Sequence, residues 1–263
     1  MRPIFLSLGR IDLLAGPVFA GLSAAVAYLY FRRYRSHAGL SVEEFWNLML
    51  PLSIAVMASG VVVYFFLYSG GFERNLAYVI ERGRIRGGAF YGNLGGAALT
   101  LYIFARWRGL SFRRLADLLG GAAPLALSLM RLGCIQHGCC FGKPTSLPWG
   151  IVFTHPRCGV RRSWLGTPLH PSQLYEALGC LAIFAVVHFV VFRRIRDGKL
   201  PPGSAFLASA VLYGVLRFLL DFVRGSDPGV LRPLGLTTAQ LMALATFAGA
   251  AYLYRRWRHA PGA

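Results

Sequence analysis

Long apolar runs, nearly free of charge and closed by knots of arginine, limit what this chain can fold into. They are Leu13–Phe31, Phe45–Tyr68, Gly87–Trp107, Leu115–Met130, Leu174–Phe192, Ala205–Val223 and Thr238–Tyr254. A hydrocarbon core of about 30 Å takes roughly 20 apolar residues in a helix, so the runs supply about seven spans. Composition agrees: 56% of the 263 residues are hydrophobic, against about 45–50% in soluble domains. The expectation is an all-α integral membrane protein of about seven transmembrane helices. No short apolar stretch followed by small residues opens the chain, so no removable signal peptide is expected.

Lysine and arginine beside the span ends set orientation. Arg32, Arg33, Arg35, then Arg106, Arg108, Arg113, Arg114, then Arg193, Arg194, Arg196, Lys199, and last Arg255, Arg256, Arg258 fall on one side. The other side is nearly as basic. The closer grouping puts the N-terminus outside and the C-terminus in the cytoplasm. The net charge of +18 suits nucleic acid or anionic lipid as a partner. With so many spans, the lipid bilayer is the partner expected and nucleic acid is not. Only Lys143 and Lys199 are lysines. The planar arginine fork grips phosphate at two points.

The longest hydrophilic connection runs from Cys139 to Pro171 and is rich in Pro and Gly. Its Trp, Phe and Cys content points to an ordered extracytoplasmic loop, and connections this long usually carry function. The glycines of 87–88 and 92–96 sit inside an apparent span. Either they let helices pack closely or they let backbone approach a ligand.

Ionisable groups inside apolar spans are functional candidates, and three places hold them. Arg131 follows an uncharged run directly, in "MRLGCIQHGCCFG", and either snorkels to the interface or binds an anion. In "HPSQLYE", His170, Gln173, Tyr175 and Glu176 enter a span. Gln173 and Glu176 are neighbours at three-residue spacing. The segment is either a helix cap with an interfacial tyrosine or a polar cluster facing a cavity. In "YGVLRFLLDFVRGSD", Arg217, Asp221 and Arg224 follow at helical spacing, and Tyr213 extends that face. Either Arg217 and Asp221 form a structural pair, or the surplus cation meets an anion.

Cys134, Cys139 and Cys140 lie beside His137, with Cys158 further along the loop. Their spacing matches no familiar closed zinc site, so no metal ligand is named among the site residues, but Cys158 and His155 further along the loop could complete one and a metal stays open. A disulfide involving Cys158 or free packing thiols remain open. Cys180 sits in an apolar run as a core residue.

With these motifs in hand, the chain resembles the prolipoprotein diacylglyceryl transferase family. "GRIRGGAFYGNLGG", "RLGCIQHGCCFG", "PWGIVF", "HPSQLYE", "YGVLRFLLDFVRGSD" and "TTAQLMAL" stand in the family's order over about Gly83 to Leu244. The resemblance implies one transmembrane transferase domain over residues 1–263 of a bacterial cytoplasmic-membrane protein. It implies transfer of a diacylglyceryl group from phosphatidylglycerol to the lipobox cysteine thiol of a prolipoprotein, with no cofactor. It places Arg131, Arg217, His170 and Tyr91 in catalysis. It places Gly142, Gln173, Tyr175, Glu176, Tyr213, Asp221, Arg224 and Arg86 in substrate binding. The chain departs from the family pattern where Cys134 and His137 replace asparagines, Cys139 a glutamate, Tyr91 a histidine and Asp221 a glutamate. Two other classes stay open: a lipid-binding or scaffold protein that kept the fold, and a thiol or metal membrane protein.

Overall fold

The structure, a computed structural model, describes residues 4–8, 11–83, 87–156, 158–225 and 235–258. The greater part of each of the seven apolar runs lies on a helix. A short hairpin, β1 (Ile4–Leu8) and β2 (Ile11–Leu14), leads into α1 (Ala15–Tyr34). Then come α2 (Val42–Leu67), α3 (Phe72–Arg82), α4 (Phe90–Arg108) and α5 (Phe112–His137). The long connection holds a two-residue pairing of β3 (Ile151–Val152) with β4 (Pro168–Leu169). Beyond it α6 (Ser172–Ala185) passes through a π-helical stretch, Val186–Phe192, into α7 (Arg193–Arg196). The chain closes with α8 (Ser204–Leu220) and α9 (Thr238–Arg258).

Among the described residues, three helical segments are long and apolar enough to cross a membrane: α2, α5, and the continuous Ser172–Arg196. They occupy different depths in the bundle. Only 11% of the apolar window of α2 is buried against protein, compared with 56% for α5. Leu50, Ile54, Met57, Val62 and Phe66 of α2 are exposed, a face that water would penalise and lipid would not. Helix α5 is the hub, packed by α1, α4, α6 and α8, while α2 pairs with α4 and α9 with α8.

Local chemistry sets the ends of the elements. Ser41 and Glu44 form a reciprocal capping box at the start of α2, with hydrogen bonds of 2.9 and 3.1 Å, which satisfies two otherwise orphaned donors. Asn75 of α3 is buried and donates to the carbonyls of Phe65, Tyr68 and Gly71, tying the end of α2 to the next helix. Gly92 and Gly96 of α4 serve packing against α2. A Cβ at Gly92 would stand 2.5 Å from the Ser59 carbonyl of α2, so the two backbones meet where only glycine fits.

Arg33, Arg114 and Arg196 line one cavity together with Tyr34 and His37. Arg113 donates to the Trp257 carbonyl, and Arg108 pairs with Glu44. Much of the arginine-rich set is thereby gathered at one end of the bundle. Arg131 follows Arg114 by 17 residues on the same helix, a rise of about 25 Å. That rise is comparable to most of the thickness of a hydrocarbon core.

Candidate functional site

Two chain reversals place the site. At the end of α5, Gly138 adopts φ 74° and donates to the carbonyls of Cys134 and Ile135, a left-handed cap that suits glycine. The chain then runs back beneath α6. Gly142 N donates to the His170 carbonyl (3.1 Å), Lys143 N to the Val223 carbonyl (2.8 Å), and Gly225 N to the Phe141 carbonyl (3.0 Å). These bonds join the loop after α5, the start of α6 and the segment after α8. A Cβ at Gly142 would lie 2.5 Å from the His170 carbonyl oxygen, so the close approach requires glycine there. Phe141, Phe153, Val160 and Leu169 form a small core under the loop.

Glu176 is the centre, with no exposed surface. Its Oε1 accepts from Arg131 Nη2 at 2.9 Å and from the Tyr213 hydroxyl at 2.9 Å. Its Oε2 accepts from Arg224 Nη1 at 3.3 Å. One helix away, Arg217 Nη1 lies 2.8 Å from Asp221 Oδ1. Arg224 Nε stands 4.0 Å from the same oxygen, and the Thr237 hydroxyl donates to Asp221 Oδ2. Three guanidinium groups thus share two carboxylates. A buried carboxylate without such partners would cost several kcal/mol. With them, among the described residues, each carboxylate is met by at least one guanidinium.

Five buried side-chain polar atoms lack a hydrogen-bond partner among the described residues: Tyr91 Oη, Arg131 Nε, His170 Nδ1, Gln173 Oε1 and Arg217 Nη1. The Arg217 nitrogen is close to Asp221 but off the line of a hydrogen bond. Buried polar groups are otherwise almost always satisfied. All five atoms belong to residues the sequence marked as site candidates.

Arg131, Glu176, Tyr213, Arg217, Asp221 and Arg224 are brought together. Tyr91 flanks them, with its ring centroid 6.1 Å from that of Tyr213. Gln173 is fully buried and donates to the Cys139 carbonyl at 2.8 Å. His170 and Gly142 sit in the joined backbone segments beside this face. Tyr175 is placed differently: its hydroxyl accepts from Trp149 Nε1 at 2.7 Å on the half-exposed rim. Arg86 lies outside the described residues. Arg224 does not continue a helical face as its spacing suggested. Helix α8 ends at Leu220, and Arg224 pairs with Gly142 as an isolated bridge. The side chain reaches Glu176 from that bridge.

The cysteines of the signature stretch come close to Arg131. Arg131 Nη1 stands 3.3 Å from Cys140 Sγ and 3.8 Å from Cys134 Sγ. All five cysteines are free thiols. Cys140 takes φ 58°, an unusual conformation for a residue with a side chain. Sulfur hydrogen bonds from Cys134 and Cys139, then the Arg131 guanidinium, hold its thiol well below the ordinary value against the push of burial. Thr237 was missed as a residue, although it opens the quoted "TTAQLMAL". Nothing at sequence level connects it with Asp221.

Residues 3–256 match the family model described as prolipoprotein diacylglyceryl transferase. The chain is 33% identical over 233 residues to a phosphatidylglycerol--prolipoprotein diacylglyceryl transferase of Geobacter sulfurreducens, covering 86% of this chain and 83% of that one. It is 31% identical over 262 residues to the enzyme of the same name from Bordetella avium, covering 96% and 93%. For the one from Solidesulfovibrio magneticus the identity is 30% over 247 residues, with 92% and 89% covered.

Proposed function

The chain belongs to the prolipoprotein diacylglyceryl transferase family, and on that premise we propose that it transfers diacylglyceryl from phosphatidylglycerol to a prolipoprotein cysteine. Residues 1–263 act as one transmembrane transferase domain in the bacterial cytoplasmic membrane. It has about seven spans, with the N-terminus outside and the C-terminus in the cytoplasm. The long loop from Cys139 to Pro171 is extracytoplasmic, on the side where secreted precursors arrive.

The carrying observation is the set of buried polar atoms that have no hydrogen-bond partner among the described residues, on and beside the arginine cluster. A phospholipid phosphodiester carries one negative charge and several acceptor oxygens. Arg131 Nε is the donor open to it, beside the Arg217 guanidinium that pairs with Asp221, and arginine suits phosphate better than lysine does. Tyr213, Arg224 and Asp221 hold Glu176 and the arginines in place, so the donors need no reorganisation when charge develops. Gly142, Gln173, Tyr175 and Arg86 complete the lipid and peptide contacts.

In the reaction the bond between the glyceryl carbon and the phosphate oxygen breaks, and a carbon–sulfur bond forms. The thiol proton leaves to a base, and glycerol phosphate departs with the negative charge that the arginines stabilise. The thiolate is the nucleophile. His170, through its unpartnered Nδ1, is the first candidate base, and Tyr91 or His137 comes after it.

The test is transfer from labelled phosphatidylglycerol to a lipobox peptide by purified protein in lipid nanodiscs. Parent protein should release glycerol phosphate in step with peptide labelling. Arg217→Ala should lower the rate by about 100-fold. Phosphatidylglycerol binding without any glycerol phosphate release would identify a lipid-binding relative instead.

A further inference from the structure

Three thiols meet where the end of α5 turns into its loop. The sulfurs of Cys134, Cys139 and Cys140 all lie within 4.8 Å of one another. We propose that they form a binding site for a thiophilic d10 cation, Zn2+ or Cu+. The site stands whether or not the chain performs the transfer proposed above.

The cluster is built rather than incidental. The left-handed cap at Gly138 folds Cys139 and Cys140 back over the last turn of α5, which carries Cys134. Two side chains of α6 then clamp the loop cysteines by their carbonyls: Gln173 Nε2 to Cys139 at 2.8 Å and Ser172 Oγ to Cys140 at 2.8 Å. Cys140 is held at φ 58° within this arrangement. The three donors therefore face one another before any ion arrives.

The donor set decides the class of ion. Thiolate sulfur selects soft cations, while magnesium and calcium require oxygen. The group contains no carboxylate or imidazole among the described residues. Zinc–sulfur bonds of about 2.3 Å imply sulfur separations of about 3.8 Å. The sulfurs need to close by about 1 Å at most, within the reach of side-chain rotation. Three sulfurs complete a trigonal Cu+ site, or leave Zn2+ one open position. Each thiol releases a proton on binding, so the complex carries excess negative charge. Arg131, 3.3 and 3.8 Å from two of the sulfurs, supplies the neighbouring cation that offsets it. Cys139 and Cys140 are partly exposed, which gives an ion a way in.

The experiment uses full-length reduced protein in detergent under anaerobic conditions, titrated with Zn2+ in one arm and Cu+ in the other. Alkylation by a small maleimide is followed residue by residue by mass spectrometry. At least one ion should bind at one equivalent per chain and slow alkylation of Cys139 and Cys140 about tenfold or more. Cys158 should react at an unchanged rate. The Cys139→Ser/Cys140→Ser double variant should lose affinity by about 100-fold or more, and Cys158→Ser should bind like the parent. Neither ion protecting Cys139 and Cys140 in the parent protein would overturn the site. A bound ion that leaves those two reactive would overturn it as well, as would a disulfide within the cluster that persists in reductant. The protection readout needs no variant, so misfolding of the double variant would not obscure the result.

Discussion

Asp117 and Glu176 are both fully buried acids, and they are satisfied in opposite ways. Asp117 accepts from the backbone amides of Ala205 (2.9 Å) and Gly203 (2.8 Å) at the start of α8. His37 Nε2 stands 3.5 Å away. Its neighbours Tyr30 and Tyr34 take up the two ring nitrogens of His188 at 3.0 and 3.3 Å. None of these groups is among the buried atoms left without a partner. Glu176 instead binds two arginines and a tyrosine, and unsatisfied donors and acceptors surround it. A carboxylate that holds main-chain amides secures a helix end. A carboxylate that holds side-chain cations, with donors left over, keeps those cations aligned for something else.

The contrast can be broken by substitution. The largest effect is expected for Glu176→Gln, which removes the charge shared by Arg131 and Arg224. Leaving buried cations uncompensated should cost about 3–5 kcal/mol, read as a fall in the unfolding midpoint in detergent. Next comes Arg131→Ala, which leaves Glu176 with Arg224 and Tyr213. Transfer to a lipobox peptide should drop by about 100-fold while the unfolding midpoint moves less than for Glu176→Gln. Near-parental transfer would remove the functional half of the comparison. Asp117→Asn should cost about 1–3 kcal/mol through the weakened α8 start and leave the transfer rate per folded molecule unchanged. A specific loss of rate there would make both acids functional. The smallest effect is expected for Thr237→Val, which removes the hydroxyl donated to Asp221. It should cost about 1 kcal/mol and shift transfer only a few-fold.

Much of this was legible in the sequence. Apolar length located each of the seven helices that carry an apolar run, because burial in lipid or protein demands apolar length whatever the partner. Helix α3 was not legible by that rule, since Phe72–Arg82 is short and charged and is fixed by the single buried Asn75. The end of α8 was misread for a different reason. Periodicity continues through Arg224, but Val223 and Gly225 give their backbone groups to the loop after α5, and tertiary pairing overrides the helical pattern there. In the site, the candidates were legible because charge in an apolar run is costly. Their partners were not. Nothing in the spacing joins Arg131 to Glu176, 45 positions away, or Tyr213 to the same oxygen. The approach of Cys140 to Arg131 depends on the left-handed backbone at Gly138 and Cys140, which the residue order does not announce.

The main-chain bonds that link Gly142 to His170, Lys143 to Val223 and Gly225 to Phe141 impose an order on biogenesis. A nascent chain that has delivered α5 already carries Arg131 but none of the carboxylate that neutralises it. The guanidinium must wait at the membrane edge, or in water, through the synthesis of the whole loop. Arg217 and Arg224 emerge later still, and only then can the last strand-like segment dock against Gly142. Chains halted before α8 would insert most of their apolar helices and still have no assembled cluster, so competence would arrive in one late step rather than gradually along the chain.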